Sequence, residues 1–193
     1  MSVRKTIPEN NGVYFITFTC ANWLPLFKIC NAYSLVYKWF DHLKKEGHYI
    51  IGYVIMPHHV HAIIAFKNTS KPINTIVGNG KRIMAYELVD ILQQANKTLL
   101  ITEMQQMVNN TDKKRNKLHE VFEPSFDWKE CRTIEFIQQK LKYMHGNPCK
   151  CSPKLAYLPE EYLHSSAKFY ITGEQGIYPV TSFMDLQDID LTA

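Results

Sequence analysis

No stretch of the 193-residue chain reaches the run of about 18 apolar residues that a membrane-spanning helix requires. The basic amino end, Met1-Ser2-Val3-Arg4-Lys5, has no apolar segment behind it. Membrane insertion and export are therefore not expected, and the cytoplasm is the expected compartment. Cysteine is sparse: five residues, an odd number, at scattered positions 20, 30, 131, 149 and 151 do not suggest a disulfide framework. Cys149-Lys150-Cys151 lacks the second cysteine pair or nearby histidine that would complete a tetrahedral metal site. Repeats and low-complexity tracts are missing too, and 46% hydrophobic with 12% aromatic residues exclude a disordered chain. The length suits one sizeable core and is short for two.

Charge excess is also small. Lys and Arg number 22 against 18 Asp and Glu, a net +4, but the last ten residues carry three aspartates and no base, leaving +7 on residues 1–183. That balance is compatible with a polyanionic partner without singling one out.

Strand and helix periodicities then alternate along the chain. Gly12 to Cys20 is dense in β-branched and aromatic residues and alternates as a half-buried strand does. Leu35, Val36, Trp39, Phe40 and Leu43 recur at helical spacing, with Asn31 as the expected N-cap and Gly47 beyond the end. Tyr49 to Met56 and Val60 to Phe66 read as hairpin neighbours around Pro57. Residues 73–108 have a helical pattern with an expected break at Gly78-Asn79-Gly80, and Asn109 to Lys117 reads as an exposed basic loop. His119 to Phe122 is the expected closing strand, and Thr133 is placed to cap a helix with Phe136, Ile137, Leu141 and Met144 on its apolar stripe. The order βαββα, then a short strand and a helix, predicts an α+β, ferredoxin-like (RRM-like) antiparallel sheet with helices packed mainly on one face.

Two short stretches carry chemistry. In Met56-Pro57-His58-His59-Val60-His61, residues two apart on a strand project from one face, so His59 and His61 stand about 7 Å apart at the backbone, close enough to share a cation. A His-x-His pair alone is also compatible with ordinary satisfied histidines. In Lys142-Tyr143-Met144-His145-Gly146-Asn147-Pro148, Tyr143 and Asn147 differ by about 40° around a helix axis, although Pro148 biases Asn147 away from helical geometry. On its own that stretch reads first as a packed tyrosine and an asparagine in a C-terminal turn.

Together these stretches resemble the single-tyrosine HUH transposases, in particular the REP-associated tyrosine transposases. The resemblance rests on Met56 to His61, on Tyr143 to Pro148, and on Pro159-Glu160-Glu161-Tyr162-Leu163-His164-Ser165-Ser166, with Phe126-Asp127-Trp128 agreeing loosely. It spans about residues 10–172, and the segment after Pro148 departs from the family's usual pattern. The resemblance implies one catalytic domain over residues 1–172, followed by a C-terminal extension, 173–193, with its acidic tail. It further implies a metal-dependent endonuclease and strand transferase on single-stranded DNA, often at hairpins. In it Tyr143 attacks the phosphodiester to give a 5′-phosphotyrosine, and His59, His61 and Asn147 hold a divalent ion, Mg²⁺ or Mn²⁺. Lys81, Arg82, Lys113, Lys114, Arg115 and Lys150 are the candidate DNA contacts, and a homodimer is among the forms the family adopts. The competing reading is a non-cleaving DNA- or RNA-binding module of the same fold.

Overall fold

The computed structural model describes residues 6–192; the basic start, Met1 to Lys5, and Ala193 lie outside the described residues. The chain begins with β1 (Gly12–Thr19), a turn at Ala21–Trp23 and a short helix α1 (Leu26–Ile29), followed by α2 (Ser34–Lys45). The hairpin β2 (Tyr49–Ile55) and β3 (His59–Phe66) leads into α3 (Ile73–Gln94), α4 (Thr98–Gln106) and the single turn α5 (Asn110–Lys113). Then come β4 (Asp127–Glu130), α6 (Ile134–His145), α7 (Asn147–Lys150) and α8 (Ala167–Thr172). The sheet has the order β2-β3-β1-β4 with all neighbours antiparallel, the arrangement of a ferredoxin-like sheet.

Period-two alternation divides the side chains of the central strands between two cores. On one face Tyr14, Ile16, Phe18, Tyr53, Ile64 and Phe66 meet the apolar stripes of α2 and α3, including Trp39, Phe40, Met84 and Leu88. On the other, Phe15, Ile51, Val54, Ile63 and Ala65 meet Ile137, Leu141 and Met144 of α6. Helices α2 and α3 thus share one face, and α6, which carries the tyrosine signature, covers the opposite one. A register shift between Ile50 and Gly52 lets Gly52 face α6, where a Cβ would fall 2.6 Å from Leu141 Cδ2. The segment beyond residue 172 joins both cores, with Tyr178 and Val180 in the first and Phe183 and Leu186 in the second. All five cysteines are free thiols.

Four local expectations are corrected. The helix does not break at Gly78-Asn79-Gly80; α3 runs through to Gln94, and the chain reverses at Asn96, whose φ of 53° is a left-handed conformation that asparagine tolerates. The glycine at position 80 serves close packing, since a Cβ there would lie 2.6 Å from Trp39 Cδ1 across the α2–α3 crossing. The closing strand is β4 and not His119 to Phe122, of which only Phe122 bridges to Cys20. Asn31 is not an N-cap: its φ is 46°, and α2 begins after Tyr33. The basic loop contains the turn α5, which Asn109 caps by accepting from Asp112 N.

These two glycines generate opposite expectations within one helix. Gly78→Ala meets nothing within 4 Å and should stabilise the protein by up to about 1 kcal/mol through helix propensity. Gly80→Ala meets the rigid Trp39 indole and should destabilise it by about 1–3 kcal/mol, both read from urea unfolding midpoints.

Candidate active site

The hairpin that introduces β3 is tied down before the histidines begin. Met56 N donates to His59 O, Cys20 N to His58 O and Phe27 N to Pro57 O, so the start of β3 is fixed against the end of β1. His59 and His61 then fall on the sheet face covered by α6 and are almost fully buried, at 9% and 6% exposure. Their Nε2 atoms approach to 3.1 Å. His61 is oriented from behind: its register partner on β1, Thr17, places Oγ1 2.6 Å from Nδ1. With Nδ1–H donating to that hydroxyl, Nε2 of His61 presents its lone pair. His59 Nδ1 is buried with no partner, and this ring is held by packing against His58 and Trp23.

Burial, followed by the neighbouring imidazoles His61 and His58, pushes the pKa of His59 down to about 3. Burial, followed by the charge of Lys140, pushes His61 down to about 4. Both rings are therefore neutral at physiological pH, the protonation state of a ligand to a cation.

Thr133 caps α6 by accepting from Phe136 N, and the helix packs on this face so that Tyr143 lies beside His61. The Tyr143 ring centroid is 5.6 Å from that of His61 and 6.2 Å from that of Phe15, both edge-on, while the residue remains 50% exposed. Gly146 keeps right-handed helical geometry, so Asn147 continues the same spiral into α7 despite Pro148. His59, His61, Tyr143 and Asn147 of one chain all line a single cleft of about 1600 Å³. Two ligand atoms about 2.1 Å from one ion are about 3.0–3.4 Å apart at octahedral or tetrahedral angles, so the Nε2 spacing fits a shared divalent cation. Among the described residues no group of three or more His, Cys, Asp and Glu is placed to hold a metal.

The expected DNA contacts separate. Arg82 and Arg115 are exposed and line the cleft. Lys113, Lys114 and Lys150 are exposed outside its walls. Lys81 is built into the fold: it is 8% exposed, and its Nζ donates to Glu123 O at 2.7 Å and Ser125 O at 2.9 Å. The third signature is structural as well. Tyr162 donates its hydroxyl to Ile55 O, Ser165 bridges to Val54, and Ser166 Oγ accepts from Tyr53 N while lying 2.8 Å from His145 Nε2. It ties α6 to the edge of the sheet. Lys140, one turn before Tyr143, was not singled out by the sequence; its Nζ lies 5.1, 5.0 and 5.8 Å from the ring centroids of Phe15, Phe136 and Tyr143. Its i, i+3 spacing to Tyr143 was the available signal.

Comparison with solved structures bears on the fold. A solved REP-associated tyrosine transposase bound to a REP hairpin superposes on 100% of this chain and 94% of its own, with a TM-score of 0.62 at 14% identity. The chain has the fold of a REP-associated tyrosine transposase. A candidate transposase from Deinococcus radiodurans aligns over 75% of this chain and 97% of its own, at 12% identity and a TM-score of 0.41. No protein-family model and no curated protein matches the sequence. No described helix is long and apolar enough to cross a membrane.

Two outcomes are expected from the site. Thr17→Val removes the acceptor that orients His61 and should weaken Mn²⁺ binding about tenfold or more in calorimetric titration, with little change in the unfolding midpoint. Burial also holds His145 at a pKa of about 4. Because the unfolded side chain titrates near 6.5, the unfolded state binds the extra proton first. The contribution of this residue is therefore complete above about pH 6.5 and lost as pH falls towards 4, by about 2 kcal/mol at pH 5. His145→Gln should remove that part of the slope in urea titrations at pH 7 and pH 5.

Proposed function

We propose that the chain nicks and rejoins single-stranded DNA, next to hairpins, through a 5′-phosphotyrosine at Tyr143. The observation that carries this reading is the half-exposed Tyr143 ring 5.6 Å from the His61 ring, in a cleft that also contains His59 and Asn147. A divalent ion, Mg²⁺ or Mn²⁺, held by His59, His61 and the Asn147 amide would withdraw negative charge from the phosphoryl oxygens and fix their orientation. Nitrogen ligands favour Mn²⁺ more than Mg²⁺.

The Tyr143 phenolic oxygen forms a bond to phosphorus as the bond to the upstream 3′-oxygen breaks. The phenol proton passes to solvent, and the departing 3′-oxygen takes one up. The bond energy is kept in the phosphotyrosine, so a 3′-hydroxyl reverses the step and joins strands without a nucleotide cofactor. Lys140 offsets negative charge beside the attacking ring, and Phe15 and His61 hold that ring's edge. Arg82 and Arg115 supply the charge that draws the phosphate backbone along the cleft, with Lys113, Lys114 and Lys150 outside it. A homodimer is compatible with this reading but not required by it, because one chain supplies the whole residue set.

The test is incubation of the full chain with Mn²⁺ and a pool of hairpin oligonucleotides bearing randomised single-stranded flanks. A detergent-resistant protein–DNA adduct is expected, reduced at least about a thousandfold by Tyr143→Phe. Binding without any adduct favours a non-cleaving module, and an adduct that survives Tyr143→Phe contradicts the assignment.

A further inference from the structure

Trp23 is the most exposed of the three tryptophans, at 65%, whereas Trp39 is buried and Trp128 partly buried. Its exposure is not the accident of a loose loop. Asn22 and Trp23 both have positive φ, 50° and 58°, a conformation that side chains with a Cβ seldom adopt once and here adopt twice in succession. The turn is pinned on every side. Trp23 N donates to Cys20 O, Leu24 N to Ala21 O, and Ala21 N to Val121 O, while Asn22 N reaches the Glu123 carboxylate at 3.3 Å. The indole is thereby held at the wall of the cleft, its centroid 5.0 Å from that of His58 and 6.0 Å from that of His59.

Ring contacts run in one order through the site: Tyr143 to His61 at 5.6 Å, His61 to His59 at 4.6 Å, and His59 to Trp23 at 6.0 Å. The nucleophile and the indole therefore stand at opposite ends of the imidazole pair. In an in-line displacement the leaving oxygen departs on the side away from the attacking one. The nucleotide that carries the leaving 3′-oxygen then lies at the Trp23 end. An aromatic face fixed beside a scissile phosphate is suited to an unpaired base, which stacks whatever its identity. The rings beside the indole are the imidazoles of His58 and His59.

We propose that Trp23 is the stacking platform for the base immediately 5′ of the cut bond, a specificity-determining contact that the nicking reading does not itself assign, although the proposal rests on it. Stacking of one base on one indole is worth about 1–3 kcal/mol, which corresponds to a loss of about five- to 150-fold in affinity on removal.

The test uses the full chain carrying Tyr143→Phe, so that binding is measured without covalent capture, and the same hairpin pool with randomised flanks. Binding should quench tryptophan emission. Trp23→Ala should abolish most of that quenching and weaken binding at least fivefold, whereas Trp23→Phe, which keeps an aromatic face, should bind within about threefold of the parent. On an oligonucleotide recovered from the adduct, an abasic site 5′ of the cut should cost the parent as much as Trp23→Ala does, and cost Trp23→Ala nothing further. Unchanged affinity in Trp23→Ala, or equal losses in Trp23→Ala and Trp23→Phe, would overturn the stacking assignment while leaving the nicking reading standing if the adduct still forms. Normal quenching and affinity with no Tyr143-dependent adduct would overturn the nicking reading, leaving stacking itself intact and withdrawing only its assignment to the nucleotide 5′ of the cut.

Discussion

A central strand buried on both faces has to place two imidazoles somewhere, and the period-two geometry of β3 sends both to the same side. His59 and His61 share that face with Ile63 and Ala65, while Val60, Ala62 and Ile64 fill the other. Burial favours the neutral ring strongly. For His61, moving the pKa from 6.5 to about 4 corresponds to about 3 kcal/mol, so protonation is negligible at neutral pH and its Nε2 remains available as a donor of electrons. Thr17, directly across the ladder, holds the ring through its Nδ1 and leaves Nε2 turned toward His59. The remaining parts of the site are arranged around that pair.

The two faces of the sheet have different work. The face under α2 and α3 holds the larger apolar cluster, with its aromatic residues packed at close range. The face under α6 is a smaller core that stops short at the histidine end of β3, where the cleft opens. Gly52 and the register shift beside it let α6 sit low on β2, and His145 with Ser166 locks the helix end to the sheet edge. The half-exposed tyrosine thus sits on a helix fixed to the sheet, the kind of rigid support that a reaction with a narrow geometric tolerance requires.

Strands β1 to β3 and helices α2 and α6 were legible in the sequence because each depends on local periodicity, and period two alone puts His59 and His61 on one face; the roles proposed for these two, for Tyr143 and for Asn147 came from the family resemblance. What was not legible depends on pairing between distant segments. Thr17 is one of several threonines until β1 is set in register with β3, and Trp23 is an unremarkable aromatic until its turn is seen pinned at the cleft wall. Lys81 was misread for the same reason: only the tertiary fold brings Glu123 and Ser125 carbonyls to its ammonium. Glycine misled at position 80, where the needed property is the absence of a side chain beside Trp39 and not freedom of the backbone.

The central claim is that two imidazoles of one strand converge on one cation beside the tyrosine. Pulsed electron paramagnetic resonance of Mn²⁺ added to the full chain tests it most directly. Couplings to two imidazole nitrogens are predicted, falling to one in either His59→Gln or His61→Gln. A bound Mn²⁺ that shows no imidazole nitrogen coupling, or two couplings that persist in both variants, would contradict it.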